Sequence, residues 1–159
     1  MDPMYTLDSS LFINGWRKVY KPTVFPGVWS AIDHALSEGW AVSCYEVLEE
    51  LRAKDDEITA WVNQRAAFFP QPNEGCLMQL REVMAHFPSY IHQDGAKNRA
   101  DPFVVATALM TRTAVVTFET PQPNWNSNKP PKIPLVCEQL KVPWLAPQDF
   151  LEAIGQKFK

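Results

Sequence analysis

Two rhythms of apolar residues run along the chain. One is a short continuous stretch, seen at Met4–Leu7, Trp40–Cys44, Ala114–Thr117 and Val142–Leu145, each of a length suited to a buried strand. The other is helical spacing. Val28, Trp29, Ile32, Ala35 and Leu36 share a face of a helix that Pro26 opens and Gly39 ends. Val47, Leu48 and Leu51 do the same within Tyr45–Ala53. Ser9 and Ser10 are good caps for a helix from Leu11 to about Val19. Asp55 or Asp56 caps another that reaches Phe69, with Ile58, Trp61 and Val62 inward, and Pro70 and Pro72 stop it. Asn73 starts a pattern of Leu77, Leu80, Val83, Met84 and Phe87 closed by Pro88.

Asp101-Pro102 places an acid at a helix cap and proline at the first helical position, with the helix running to about Thr111. Helices are also predicted at Ile133–Leu140 and Pro147–Phe158. Tyr90–Ala100 is polar and reads as a loop, and Pro121–Pro131, rich in Pro and Asn, as a rigid surface loop. Short strands alternate with helices and no hairpin signal joins them. The expected fold is therefore α/β, with helices on both faces of a mostly parallel sheet of four or five short strands. No internal repeat or linker divides residues 1–159, so one domain is expected.

Composition narrows the options. With 46% apolar and 21% charged residues the chain is globular rather than disordered. Its 18 acidic and 15 basic residues leave a net charge of -3, which argues against a module that binds nucleic acid by charge alone. Cys44, Cys76 and Cys137 are odd in number and far apart, which suits buried thiols in a reducing cytoplasm rather than disulfides or zinc. No secretory signal or membrane span is expected from the pattern.

Candidate chemistry lies in the carboxylates. In open parallel sheets ligands sit beyond the carboxyl ends of the strands. Asp8 ends the first strand, Glu119 follows Val115-Val116-Thr117, and Asp101 opens a helix expected at the same edge. Glu50 lies at the border of a buried helix face, with Glu46 one turn earlier on the same side, and either could reach a metal. Each acid has a plainer alternative: Asp101 as a simple cap, Glu119 as a solvated loop acid, the glutamates as a solvent face.

The order Leu7-Asp8-Ser9-Ser10, Val47-Leu48-Glu49-Glu50-Leu51, Ala100-Asp101-Pro102-Phe103-Val104-Val105-Ala106-Thr107-Ala108 and Val115-Val116-Thr117-Phe118-Glu119 resembles the PIN-domain nucleases, and within them the VapC-type toxin ribonucleases. The resemblance runs from about Met4 to Phe150. It implies a PIN-like α/β/α sandwich and a metal-dependent endoribonuclease with Asp8, Glu50, Asp101 and Glu119 as catalytic and metal-binding residues. One or two Mg²⁺ or Mn²⁺ ions, which favour oxygen ligands, would serve as cofactor, and the product would carry a 5′-phosphate. Cytoplasmic location, an RNA substrate and an antitoxin protein partner follow from the same resemblance, and a homodimer is compatible with it. Two features depart from the family pattern. The fourth acid is Glu119 where Asp is usual, and the segments Lys54–Pro88 and Pro121–Pro131 are long.

Ser9, Ser10 and Thr117 are candidates to support the acids, or else simple caps. Lys54, Arg99 and Lys132 are candidate phosphate contacts, with solubility as the alternative, and Trp125 could stack on an RNA base or a protein partner. Trp29, Trp40 and Trp61 read as core. Two rival readings remain: a catalytically degenerate PIN fold acting as a binding or scaffold module, and a phosphotransfer domain using Asp8. The second usually needs another acid beside the first, and here Ser9 and Ser10 stand there.

Overall fold

A strand of three residues is stable only when neighbours satisfy its backbone on both sides. Tyr5–Leu7 (β1) has both. It pairs in parallel with Ala41–Val42 (β2) on one side and Ala114–Val116 (β3) on the other, and Trp144–Leu145 (β4) completes the order β2-β1-β3-β4. In register, Tyr5 faces Ala41 and Ala114, Leu7 faces Val116, and Val116 faces Leu145. The computed structural model describes residues 3–54, 56–92 and 100–155.

Among the described residues eight α-helices flank this sheet in an α/β/α arrangement: α1 (Ser9–Asn14), α2 (Pro26–Ser37), α3 (Tyr45–Arg52), α4 (Glu57–Asn63), α5 (Glu74–His86), α6 (Asp101–Thr111), α7 (Ile133–Leu140) and α8 (Pro147–Ala153). The inner strands are buried on both faces, as a sheet covered by helices requires: Thr6, Leu7, Val115 and Val116 are fully buried. The core extends from them to Phe12, Ile32, Leu48, Val104 and Phe150. None of the helices described is long and apolar enough to cross a membrane.

Strand order fixes where a ligand can enter. From β1 the chain crosses to β2 on one side, whereas from β3 it crosses to β4 on the other. Connections leaving in opposite directions open a crevice between the carboxyl ends of β1 and β3, the switch point of the sheet. Asp8 directly follows β1, and Thr117 directly follows β3.

Several boundaries differ from the sequence pattern. Asp8, not Ser9 or Ser10, is the cap of α1, its side chain accepting from the Ser9 amide, so the serines fall inside the first turn. The helix then widens into a π-turn over Gly15–Val19. Asp56 caps α4, accepting from Ile58 N at 3.1 Å, while Asp55 lies outside the described residues. The helix ends at Asn63 rather than Phe69, and a short 3-10 turn, Ala66–Phe68, follows. There Arg65 leaves the helix to bond Asp33 of α2 at 2.6 Å. Asp101 is the first residue of α6 rather than its cap, which is Ala100. In α5 the buried positions are Cys76 and Val83, and Leu77 is exposed. The predicted end of the last helix falls partly on residues 156–159, outside the described set. Cys44, Cys76 and Cys137 are buried free thiols.

Candidate active site

A cleft of about 970 Å³ opens at the switch point. Its walls carry Asp8, Glu46, Glu49, Glu50, Asp101 and Glu119, and Lys54 is the single basic side chain among the described lining residues. The four acids singled out from the sequence thus come from four separate places in the chain to one cavity.

Asp8 is held most tightly. Its Oδ1 accepts from the Ser9 amide at 2.7 Å, and its Oδ2 accepts from the hydroxyls of Ser10 at 2.7 Å and Thr117 at 2.8 Å. Both hydroxyls are oriented in turn, because Ser10 Oγ accepts from the Phe118 amide at 2.9 Å and Thr117 Oγ1 from the Glu119 amide at 3.0 Å. Burial pushes the Asp8 carboxyl above its ordinary value, and these hydrogen bonds pull against that shift.

Glu50 and Glu119 each spend one oxygen on a backbone amide. Glu50 Oε1 accepts from Ala100 N at 2.9 Å, just before Asp101, and Glu119 Oε1 accepts from Ile133 N at 2.9 Å, at the start of α7. Both carboxyls are raised, first by burial and then by the charge of Asp8. The Ser9 hydroxyl and the Ala100 amide oppose the shift at Glu50. Lys132 opposes it at Glu119 from an exposed position outside the cleft wall.

Asp101 differs from the others. It is 3% exposed, and its Oδ2 is buried with no hydrogen-bond partner among the described residues. Burial raises its pKa well above the ordinary carboxylate range, and Asp8, Glu119 and Glu50 add repulsion. An unpaired, desolvated carboxylate oxygen is costly, and native proteins keep such groups sparingly. The chemistry of the set, four carboxylates with one oxygen orphaned, fits a hard divalent cation. Among the described residues, however, no three His, Cys, Asp or Glu side chains stand in metal-gripping geometry.

The structure also separates Glu46 from Glu50. Glu46 lines the cleft, but its Oε1 is buried and unpartnered, and the charge acting on it is Glu49 rather than Asp8 or Asp101. Glu50 is the α3 acid set against Asp8 and Asp101. Lys54 reaches the cleft wall, while Arg99 lies outside the described residues. Trp125 packs its ring 5.7 Å from Phe87 and donates its indole N–H to Lys129 O at 2.9 Å, away from the cleft lining. Sequence reasoning did not single out Tyr45, Gln71 and Phe103, which also line the cavity. The available signal was position, since Tyr45 shares α3 with Glu50 and Phe103 shares α6 with Asp101.

Residues 5–158 match a family described as a domain of unknown function, DUF4411. The chain belongs to this family. A comparison of the DUF4411 chain with curated proteins finds no match. Among solved structures it is similar to a chain of VapBC2 from Rickettsia felis, bound to a DNA fragment from their promoter. The TM-score is 0.54 at 10% identity, over 90% of this chain and 98% of that one. At such identity the likeness is one of fold. The DUF4411 chain has a PIN-like α/β/α fold around a four-stranded parallel sheet.

Proposed function

We propose that the protein is a metal-dependent endoribonuclease and the toxin of a toxin–antitoxin pair. The observation that carries this reading is the convergence of Asp8, Glu50, Asp101 and Glu119 on one cleft at the sheet switch point, with Asp101 Oδ2 buried and unpaired among the described residues. These four residues would hold Mg²⁺ or Mn²⁺, which supplies positive charge against the acids and the scissile phosphate and makes a bound water acidic enough to attack.

The chain's own groups set the geometry. The hydroxyls of Ser10 and Thr117 fix the plane of the Asp8 carboxylate, so it need not reorganise when charge develops beside it. Glu50, tied at Oε1 to Ala100 N, keeps its other oxygen to orient an attacking water and accept its proton. Glu119, anchored at Oε1 to the start of α7, supports the site with its second oxygen. The protein partner is an antitoxin that covers the acidic cleft. The similar Rickettsia felis chain comes from a VapBC2 structure on DNA, which supports a partnered state of this fold.

One observation favours a second reading, a PIN-fold binding module without catalysis. Glu50 and Glu119 are already engaged by amides, and no three acids meet in metal-gripping geometry among the described residues. Titration calorimetry with Mn²⁺, paired with Mg²⁺-dependent cleavage of structured and unstructured RNAs, separates the two. The nuclease reading expects saturable binding and cleavage, both lost in Asp101→Asn. Neither heat nor cleavage with wild-type protein would leave the binding module.

A further inference from the structure

Gripping RNA by its backbone takes a row of lysines and arginines. The described lining of this cleft has Lys54 against six acids, so the described walls provide little of that grip. They offer flat and amide-bearing surface instead. Tyr45 and Phe103 are half-buried, each packed on the core yet lining the cavity, with Ile13, Asn14 and Gln71 around them. Many other large rings pair with each other: Trp29 sits 4.8 Å from Trp16 and 5.5 Å from Trp61, and Phe12 lies 5.7 Å from Phe69. Tyr45 and Phe103 enter no aromatic pair among the described residues.

Their placement ties them to the acids. Tyr45 begins the helix that carries Glu50, and Phe103 follows Asp101 by two positions on α6. Both rings line the cavity that holds the carboxylates, so a planar group resting on them lies in the same cleft as the acids. Glu49, the hydrogen-bonding partner of the Tyr45 hydroxyl, holds the phenol above its ordinary value. The side-chain amides of Gln71 and Asn14 both donate and accept, as reading a base edge requires.

We propose that Tyr45 and Phe103 form a nucleobase subsite, in which an unpaired base next to the scissile phosphate stacks. The inference rests on the nuclease reading and adds to it the residues that select the substrate. A base in a duplex is already stacked within its own strand, so the subsite favours looped-out or single-stranded nucleotides. Because stacking rather than phosphate neutralisation supplies the affinity, binding weakens only slightly with salt, with a log–log slope of about one charge or less.

The test compares wild type with Tyr45→Ala, Phe103→Ala and Phe103→Leu, the last preserving apolar volume in case alanine unfolds α6. Each is titrated with a single-stranded RNA carrying a fluorescent adenine analogue that is quenched on stacking. Steady-state cleavage and Mn²⁺ calorimetry run alongside. The expected result is loss of quenching and a KM raised about tenfold or more, with kcat and the Mn²⁺ heat close to wild type. Wild-type cleavage with unchanged quenching and KM in all three variants would overturn the subsite and leave the nuclease standing. A wild-type protein that neither cleaves nor quenches would overturn both. A steep salt slope, several charges or more, would assign affinity to the backbone and sink the stacking account.

Discussion

The hydroxyl of Thr117 donates to Asp8 Oδ2 at 2.8 Å, joining residues 109 positions apart at the ends of the two central strands. The same oxygen accepts from Ser10, and the Thr117 hydroxyl accepts from the Glu119 amide. One side chain thereby holds an acid of β1 and the backbone leading to an acid of β3 in a fixed relation.

Thr117→Val keeps the shape and removes that link. Thr117 is fully buried, so the change strips a donor from a buried carboxylate and orphans the Glu119 amide. The expected loss is about 1–3 kcal/mol of unfolding free energy, read as a lower urea midpoint at constant m-value. Thr117→Ser should recover most of it, and an unchanged midpoint in the valine variant would remove Thr117 from the account.

Asp101→Asn should act in the opposite sense on stability. It neutralises a buried carboxylate that faces Asp8, Glu119 and Glu50 and has an unpaired oxygen. In metal-free buffer the variant is expected to be more stable than wild type by about 1 kcal/mol or more, while losing Mn²⁺ binding and cleavage. Such opposition between stability and activity marks a site built at the expense of the fold. A destabilised Asp101→Asn would show instead that the carboxylate serves the core.

The pH dependence follows from the same groups. Asp8, Glu50, Asp101 and Glu119 all have pKa values raised in the folded state, burial first, so the native chain binds more protons than the unfolded one above the ordinary values of 3.8 and 4.5. Stability therefore falls as pH rises from those ordinary values through the raised ones. In EDTA the melting temperature should climb as pH is lowered from neutral toward those ordinary values. Mn²⁺ should stabilise more at the upper end, where its ligands are ionised. A melting temperature that falls over this interval without metal would contradict the shared burial of these acids.

Glu50 and Glu46 give a paired test within one helix. Glu50→Gln should lower kcat about a hundredfold or more by removing the group that accepts the proton. Glu46→Gln, whose carboxyl responds to Glu49 rather than to Asp8, should leave cleavage close to wild type. Equal losses would place both glutamates in the reaction.

Expression of the wild-type chain without a partner is expected to slow growth of the host, and Asp8→Asn to relieve it. Matched expression levels on immunoblots are the control. Equal growth inhibition by both would detach toxicity from the carboxylate cleft.

What the sequence determined on its own was local or periodic. Apolar stretches marked four strands, 3.6-residue spacing marked α2 and α3, and alternation of the two implied a parallel sheet, because each signal is set by neighbours a few residues apart. An acid after each of β1 and β3 was visible for the same reason. Tertiary structure decided the rest. Glu46 and Glu50 lie one turn apart on one helix face, and only the packing of α3 beside Asp8 set Glu50 against the other acids. Asp101 looked like a cap, and only its burial among three other carboxylates revealed an oxygen with no partner among the described residues. Leu77 fitted a buried stripe, yet the face of α5 that packs inward carries Cys76 and Val83. These outcomes depend on how elements rotate against one another and on hydrogen bonds spanning most of the chain, and neither leaves a mark in the local order of residues.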